Sequence, residues 1–272
     1  MKIGEQDFKR LKEYMLKNYG LNFENKMTLI EGRLSNLVAK MGFKDFHEYV
    51  ESILREPTEE KLSALVSKLT TNYTLFMREP QQYKFLSDTI LPELGERFRR
   101  GELRVWSAGC SSGEEPFSIA ITLKKYFQSR GKEPGVRILA TDISDNVLTH
   151  ARSGRYAEIQ LKDLDPDTRL TYFKKLDGGM YQASDELRRM VRFEKFNLMH
   201  PFTGFYQKFH IIFCRNVMIY FKHETKQELV AKFFDKLEPG GYFFVGLSET
   251  LHNVETRFEY VRPAIYRKPP AS

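Results

Sequence analysis

Beyond residue 100, short apolar segments alternate with longer amphipathic segments, and this alternation constrains the fold more than any other feature. The apolar segments are Leu103 to Ala108, Val136 to Thr141, Phe209 to Cys214 and Tyr242 to Leu247. Their nearly continuous apolar character is typical of strands that are buried on both faces of a sheet. Helical patterns follow the first three segments, from about Glu115, Asp145 and Glu224. Strands that alternate with helices predict a parallel sheet in an α/β fold.

The first 70 residues show helical periodicity only. Apolar residues recur at helical spacing in four stripes, which begin near Phe8, Met27, Phe46 and Leu62. Between about residues 155 and 195 the pattern is irregular and suggests short strands. The sequence therefore predicts a helical domain over residues 1–70, a linker over 71–80, and an α/β domain over 81–272 that carries an inserted β-subdomain at about 155–195.

The composition is that of an ordinary soluble globular chain. It has 272 residues, 43 basic and 36 acidic, which gives a net charge of +7. This excess would suit an acidic partner surface, although charge alone favours a role in solubility. The two cysteines form no CxxC pair, the N-terminus is polar, and the apolar segments are far shorter than the ~18 residues of a membrane span. We expect a cytoplasmic location.

A glycine-rich loop between the first strand and its helix carries the chemistry. Gly109 and Gly113 permit a tight turn that brings backbone close to a ligand. The next strand ends at Asp142, whose carboxylate can accept hydrogen bonds from both ribose hydroxyls of a nucleoside. Glu114 and Glu115 open the helix, where they would repel a phosphate and favour a cation. The loop and Asp142 therefore predict S-adenosylmethionine as cofactor; the alternative is a turn that only needs glycine, with Asp142 as a helix cap.

The same loop also matches the G-x-S-x-G nucleophile elbow of α/β-hydrolases, with Ser111 as nucleophile. That elbow would follow the first strand of this sheet, whereas hydrolases place several strands before it. Moreover, no downstream histidine comes with a persuasive acidic partner; these histidines are His200, His210, His223 and His252. The sequence has no HExxH motif, no Walker loop and no His cluster with metal-ligand spacing, so we predict no metal site.

Three further segments complete a recognisable pattern: Thr70–Glu79, Phe196–Leu198 and Phe213–Phe221. Together with Ser107–Ser118 and Ala140–Ile143, they closely resemble the chemotaxis receptor methyltransferases, the CheR family of protein-glutamate O-methyltransferases. The resemblance covers essentially the whole chain. It implies a Rossmann-like S-adenosylmethionine-dependent methyltransferase domain with a small inserted β-subdomain, preceded by an all-α N-terminal domain. It also implies methyl transfer to glutamate side chains of membrane chemoreceptors, which forms γ-methyl esters and leaves S-adenosylhomocysteine.

The resemblance assigns site residues position by position. Arg215 and Tyr220 would line the methyl-transfer site, although Arg215 could instead form a structural salt bridge and Tyr220 could be a packed aromatic. One or both of Glu114 and Glu115 would meet the methionine end of the cofactor. The remaining cofactor contacts would come from Asn72, Thr74, Arg78, Asp142, Asn197, Leu198, Arg215 and Asn216.

Partner contacts are implied as well. Lys26, Arg33 and Lys40 recur every seven residues on one helix face, and such a basic stripe suits a receptor helix that displays glutamates. The alternative is a solvated face. The partner would be the cytoplasmic helical region of a chemoreceptor, and we expect a monomer with no nucleic-acid partner and no membrane insertion. A nucleic-acid or small-molecule methyltransferase and a non-catalytic S-adenosylmethionine-binding module are the rival functions.

Two positions depart from the family pattern. Met77 stands where a second Phe is usual, a volume-conserving change with little expected effect. The loop Asp177–Met180 is shorter and less glycine-rich than in relatives that dock the C-terminal pentapeptide of a receptor. We therefore expect an enzyme that does not use pentapeptide docking.

Overall fold

A computed structural model describes residues 1–95, 102–131, 135–205 and 207–271. The first 70 residues form four helices: α1 (Glu5–Tyr19), α2 (Met27–Lys40), α3 (Phe46–Arg55) and α4 (Glu59–Leu69). Local chemistry sets their ends, since Gly20 closes α1 with a φ of 70° and the side chains of Asp45 and Thr58 accept N–H groups at the starts of α3 and α4. The predicted all-helical segment is confirmed.

The helices that follow lead into the sheet. After an extended linker come α5 (Pro80–Phe85), one π-helical turn (Leu86–Ile90) and α6 (Leu91–Gly95). The first half of the α/β domain then consists of β1 (Leu103–Ala108), α7 (Glu114–Gln128), β2 (Val136–Asp142) and α8 (Asp145–Ser153). These bounds agree closely with the predicted strands and helices, because each strand is an apolar run bounded by glycine or polar residues.

The insertion after α8 is a small antiparallel sheet with two short helices. It comprises β3 (Arg155–Ala157), α9 (Pro166–Tyr172), β4 (Phe173–Lys175), β5 (Met180–Ala183) and α10 (Asp185–Met190), with strand order β3–β5–β4. The next strand, β6 (Val191–Lys195), differs from expectation. The sequence placed residues 191–195 in the insertion, whereas β6 pairs in parallel with β2 and forms one edge of the large sheet.

The chain ends with β7 (Phe209–Cys214), α11 (His223–Lys236), β8 (Leu237–Val245), β9 (Glu259–Arg262) and β10 (Ile265–Arg267). The large sheet has the order β6–β2–β1–β7–β8–β10–β9; the first five strands are parallel, β10 runs antiparallel to β8, and β9 runs antiparallel to β10. Strand order reverses between β1 and β7. Open α/β sheets bind ligands beyond the carboxyl ends of the strands at such a reversal.

The N-terminal helices share a core with the sheet. Apolar residues of α1 to α4, such as Leu11 and Ile30, belong to one continuous buried cluster with Trp106 of β1 and Phe243 of β8. A second cluster on the opposite face joins the sheet to α5, α6, α7 and the insertion. The helical segment therefore covers one face of the sheet, and its connection to α5 must cross the carboxyl edge of the strands.

Candidate active site

A cleft opens at the carboxyl ends of β1, β2 and β7, where the linker crosses the sheet. The empty space within it, open solvent included, amounts to about 830 Å³. Its walls come from the end of α1, the linker over 70–78, the glycine loop, the end of β2, residues 196–198 and the loop after β7. The cleft-lining residues include these predicted positions: Asn72, Thr74, Arg78, Asp142, Asn197, Leu198, Arg215, Asn216 and Tyr220.

The glycine loop lies tightly between neighbouring strands. The N–H groups of Gly109 and Cys110 donate to the carbonyl oxygen of Thr141 at 2.8 and 2.9 Å, which joins the loop to the end of β2. Gly109 has a φ of 87°, and a Cβ at this position would lie 2.4 Å from Cγ2 of Val217. Only glycine therefore allows the loop after β7 to pack directly on the loop after β1.

Asp142 lies in the cleft wall with both carboxylate oxygens directed by backbone. The Ser111 N–H donates to Oδ2 at 2.8 Å, and the Ser144 N–H donates to Oδ1 at 3.0 Å. Burial raises the pKa of Asp142, while these backbone donors act in the opposite direction. Each carboxylate oxygen has a further lone pair. The carboxylate is therefore fixed in orientation and retains acceptor capacity for a ligand.

The linker is fastened over the glycine loop. The Ser111 hydroxyl donates to the carbonyl oxygen of Asn72 at 2.9 Å, and the Met77 N–H donates to the hydroxyl of Ser118 on α7 at 2.9 Å. Met77 and Glu79 have φ angles of 52° and 61°, and Ser111 has 48°. Non-glycine residues at positive φ are strained by about 1–3 kcal/mol each and cluster at functional sites. The linker is thus held as one wall of the cleft.

The Ser111 contact also decides against the hydrolase alternative. The Ser111 hydroxyl donates to a backbone carbonyl oxygen. Among the described residues that line the cleft there is no histidine. A nucleophilic serine needs a base within hydrogen-bond reach. Ser111 therefore serves to hold the linker.

Arg215 is the centre of a buried ionic cluster beneath the cleft. Its side chain is 1% exposed, and Nη1 donates to Oε2 of Glu115 at 3.1 Å and to the hydroxyl of Tyr83 at 3.0 Å. Nη2 donates to Oε2 of Glu79 at 3.0 Å and to the carbonyl oxygen of Arg78. The predicted alternative of a salt bridge is therefore present, although Arg215 also belongs to the cleft wall.

The cluster contains two carboxylates and one guanidinium. The two carboxylates, those of Glu79 and Glu115, contact the single guanidinium of Arg215. Burial raises the pKa of Glu115 and the guanidinium of Arg215 opposes that shift. Burial likewise raises the pKa of Tyr83 to about 12, so its hydroxyl stays neutral. Carboxylates at the base of the cleft favour a cationic ligand there, while the cleft wall itself also carries the guanidinium of Arg78.

The two glutamates at the start of α7 do not line the cleft themselves. Glu114 accepts hydrogen bonds from the Ser112 hydroxyl at 2.6 Å and from Nε2 of Gln160 in the insertion at 3.1 Å. Glu115 accepts from the Ser107 hydroxyl at 2.7 Å in addition to Arg215. Neither glutamate is among the residues that line the cleft, and Glu115 adjoins the cleft through its contact with Arg215.

Sequence reasoning missed a further buried carboxylate, Glu249. Its Oε2 accepts the N–H groups of Asn216 at 2.6 Å and of Gly246 at 2.8 Å, and its Oε1 accepts the N–H of Ile219 at 3.1 Å. Burial raises its pKa against these donors. The one available signal was its position just beyond the carboxyl end of a parallel strand. Glu249 fixes the loop that carries Asn216 and Tyr220.

The predicted basic stripe on α2 is split by the structure. Lys26 and Lys40 are exposed. Arg33 instead donates from Nη1 to the carbonyl oxygen of Leu69 at 2.6 Å and from Nη2 to the hydroxyl of Thr71 at 2.9 Å. Arg33 therefore ties α2 to the start of the linker.

The described ranges contain neither a candidate metal centre nor a candidate membrane-spanning helix. Within those ranges, no three His, Cys, Asp or Glu side chains are grouped so that they could hold a metal ion. Across the same part of the chain, no helix is both long and apolar enough to cross a membrane.

Comparison with known proteins gives a family over nearly the whole chain. Residues 6–70 match the family described as CheR methyltransferase, all-alpha domain, and residues 72–266 match CheR methyltransferase, SAM binding domain. The chain is 41% identical to a chemotaxis protein methyltransferase of Borreliella burgdorferi, over 98% of this chain and 95% of that protein. It is 35% identical to the proteins of the same name from Vibrio parahaemolyticus, over 96% and 94%, and Escherichia coli, over 97% and 91%. The chain therefore belongs to the CheR family of S-adenosylmethionine-dependent chemotaxis methyltransferases.

Proposed function

We propose that this enzyme works in the cytoplasm and methylates glutamate side chains of chemoreceptors, forming γ-methyl esters for chemotactic adaptation. The observation that carries the proposal is the cleft itself. Asp142 stands on one wall as an oriented acceptor for ribose, and the Arg215 cluster places the carboxylates of Glu79 and Glu115 beneath the cleft, where they would favour a cationic group. The family and the names of its relatives support the chemoreceptor as the acceptor.

The cofactor residues divide by the part of the ligand they would contact. Asp142 would accept hydrogen bonds from the ribose hydroxyls, and Asn197 and Leu198 would border the adenine. Glu115 is the better candidate of the two glutamates for the cationic methionine end, because Glu114 is turned toward the insertion. Asn72, Thr74 and Arg78 would close over the ligand from the linker, with Asn216 and Arg215 on the opposite side.

Methyl transfer to a carboxylate depends mainly on how the reacting atoms are positioned. When bound, S-adenosylmethionine supplies a methyl carbon on a sulfonium leaving group, so that a carboxylate oxygen forms a C–O bond as the S–C bond breaks. The acceptor glutamate is already ionised at neutral pH, with an ordinary pKa of about 4.3, so no general base is required. Alignment of the reacting atoms can lower the barrier by up to ~7–11 kcal/mol.

Charge is lost in this step, because an anion and a cation become neutral. A strong ion pair to the acceptor carboxylate would therefore stabilise the ground state and slow the reaction. The guanidinium of Arg215 is already committed to Glu79, Glu115 and Tyr83, which suits this requirement. We assign Arg215 to positioning the linker and Glu115, and Tyr220 to orienting the acceptor.

The receptor would approach along the helical segment. Lys26 and Lys40 remain exposed for contact with acidic residues of a receptor helix, whereas Arg33 is engaged with the linker. The Asp177–Gly179 turn that precedes β5 is a single short turn, which supports an enzyme without pentapeptide docking. We further propose a monomer with no nucleic-acid partner.

The direct experiment combines the enzyme, methyl-labelled S-adenosylmethionine and membranes that contain chemoreceptors. We expect base-labile label on receptor glutamates, loss of labelling in Asp142→Ala, and retention in Asp163→Ala, an exposed aspartate of the insertion. Turnover that depends on RNA or a metabolite, without receptor labelling, would replace the proposal with one of the rival methyltransferases. Cofactor binding without any turnover would indicate a non-catalytic module.

A further inference from the structure

Three large apolar side chains are exposed on segments that adjoin the cleft or its ionic framework. Tyr73, Ile219 and Leu247 are 64%, 46% and 57% exposed. Single exposed apolar residues are ordinary on protein surfaces, but a group of them at one place marks an interaction site. Tyr73 lines the cleft, Ile219 precedes the cleft residue Tyr220, and Leu247 follows β8 at the same edge of the sheet. We call these three residues the apolar lip.

Buried carboxylates hold the lip in place. Glu249 accepts the N–H groups of both Ile219 and Gly246, the neighbour of Leu247, so these two segments lie side by side. Glu79 accepts the N–H of Leu247 at 3.1 Å through Oε1, and its other oxygen contacts Arg215. The lip is therefore built on the same ionic framework as the cleft.

The guanidinium of Arg78 lies 5.5 Å from the ring centre of Tyr73 and joins this side chain to the same framework. Arg78 also donates to the carbonyl oxygen of Tyr73 at 3.1 Å, and its own carbonyl accepts from Arg215. A cation stacked on an aromatic ring is held in a defined orientation. The lip thus presents apolar surface beside a fixed positive charge.

The length of the acceptor glutamate side chain determines which part of the acceptor lies against the apolar lip. A glutamate side chain spans roughly 5 Å from its Cα to its carboxylate oxygens. An acceptor glutamate that reaches into the cleft therefore brings its own backbone to the entrance. If that backbone is helical, the residues three and four positions away lie on the same face and meet the rim.

We propose that the apolar lip docks apolar residues that flank the methylated glutamate on one face of an amphipathic acceptor helix. This inference rests on the proposed function. The lip reads the sequence around the glutamate, while Arg78 adds attraction for an acidic face. The occupant is a helical segment of the acceptor, because only that segment must pass the entrance for the reaction to occur.

The test is the double variant Ile219→Ser/Leu247→Ser, assayed with chemoreceptor membranes and labelled S-adenosylmethionine. The loss of about two apolar contacts predicts an increase of KM for receptor of about tenfold or more. Affinity for S-adenosylhomocysteine, measured by calorimetry, should stay within about twofold of wild type. The conservative variant Ile219→Leu should retain most of the wild-type KM.

Leu170→Ser is the matched control, since Leu170 is 81% exposed on the insertion. Its KM should not change. An unchanged KM in the double variant, or an equal loss of S-adenosylhomocysteine affinity, would overturn the proposal, as would a change of oligomeric state that makes the lip an interface between copies. Failure of the proposed function is distinguishable, because wild-type enzyme would then label no receptor at all.

Discussion

Arg215 is the residue at which most polar contacts beneath the cleft converge. Replacement by Met leaves the carboxylates of Glu79 and Glu115 buried without their countercharge. Removal of one partner from a buried ion pair costs about 3–5 kcal/mol. We therefore expect Arg215→Met to lower the free energy of unfolding by that amount in urea titrations. Arg137→Met breaks an exposed pair with Glu102 and should cost no more than about 1 kcal/mol; equal losses would contradict a central structural role for Arg215.

Glu249 tests whether the loop after β7 must be held rigidly. The variant Glu249→Gln offers one acceptor oxygen where the carboxylate offers two, so at least one of the N–H groups of Asn216, Gly246 and Ile219 loses its partner. Small misplacement of positioning groups can reduce rates about 100-fold. We expect kcat to fall by about 10- to 100-fold with little change in KM for S-adenosylmethionine. Glu259→Gln, an exposed change on β9, should match wild type in steady-state assays.

Among the elements, the linker depends on α2 for its position. Arg33→Ala removes both contacts that fix the start of the linker, at Leu69 and Thr71. The start of the linker, which forms one wall of the cleft, then loses its attachment to α2, so we expect affinity for S-adenosylhomocysteine to fall by about tenfold in calorimetric titrations. An unaltered affinity would show that the linker holds its place without α2.

Lys40, on the same helix, separates receptor docking from cofactor binding. Its side chain is exposed, and charge reversal in Lys40→Glu should raise KM for receptor. The affinity for S-adenosylhomocysteine should remain that of wild type. The increase in KM should shrink as salt concentration rises, because exposed charges are screened. If KM for receptor changes neither with the substitution nor with salt concentration, α2 is excluded from the docking surface.

The sequence predicts the elements well where one pattern dominates. Strands such as β1 and β7 are nearly continuous apolar runs, and their neighbours follow from the α/β alternation. The edge strand β6 was not recognised as part of the large sheet, because it is only partly buried and follows directly on a short helix. The start of β8 was placed five residues late, since Pro239, Gly240 and Gly241 suggest a turn, whereas the strand runs through them with an irregular register.

For the site, the sequence predicted residues with local signals but not the contacts between distant residues. Asp142 and the glycine loop carry local signals, and the resemblance supplies the other lining residues. The contacts of Arg215 with Glu79 and Glu115, and those of Glu249 with the loop after β7, join residues far apart in sequence. No local pattern encodes such pairs, because tertiary packing alone brings the partners together. Arg33 illustrates the same limit, since its spacing suggested docking and its contacts serve the linker.

Across the whole molecule, stability should depend on pH through His210 on β7. Its Nδ1 accepts the N–H of Arg104 at 3.0 Å, and burial together with the positive charge of Arg104 lowers its pKa from 6.5 to about 4. Between these values the unfolded chain takes up a proton that the folded chain does not. The free energy of unfolding should therefore fall as pH drops from about 6.5 toward 4.

Denaturant titrations from pH 7.5 to 4.5 would measure this dependence. His210→Gln should show a flatter profile than wild type over that range, because the titrating group is gone. His223→Gln, a change at an exposed position, should keep the wild-type profile. Identical slopes for the wild type and His210→Gln would show that other groups set the pH response.

Methyl transfer by this chain requires that the cleft bind S-adenosylmethionine and release its product, S-adenosylhomocysteine. Calorimetric titration of S-adenosylhomocysteine into wild type, Asp142→Ala and Asp163→Ala tests this most directly. We predict one molecule bound per chain in wild type and Asp163→Ala, and an affinity at least about 100-fold lower in Asp142→Ala, from two lost hydrogen bonds to a carboxylate. Equal affinity in all three proteins, or no binding by wild type, would contradict the assignment of the cleft.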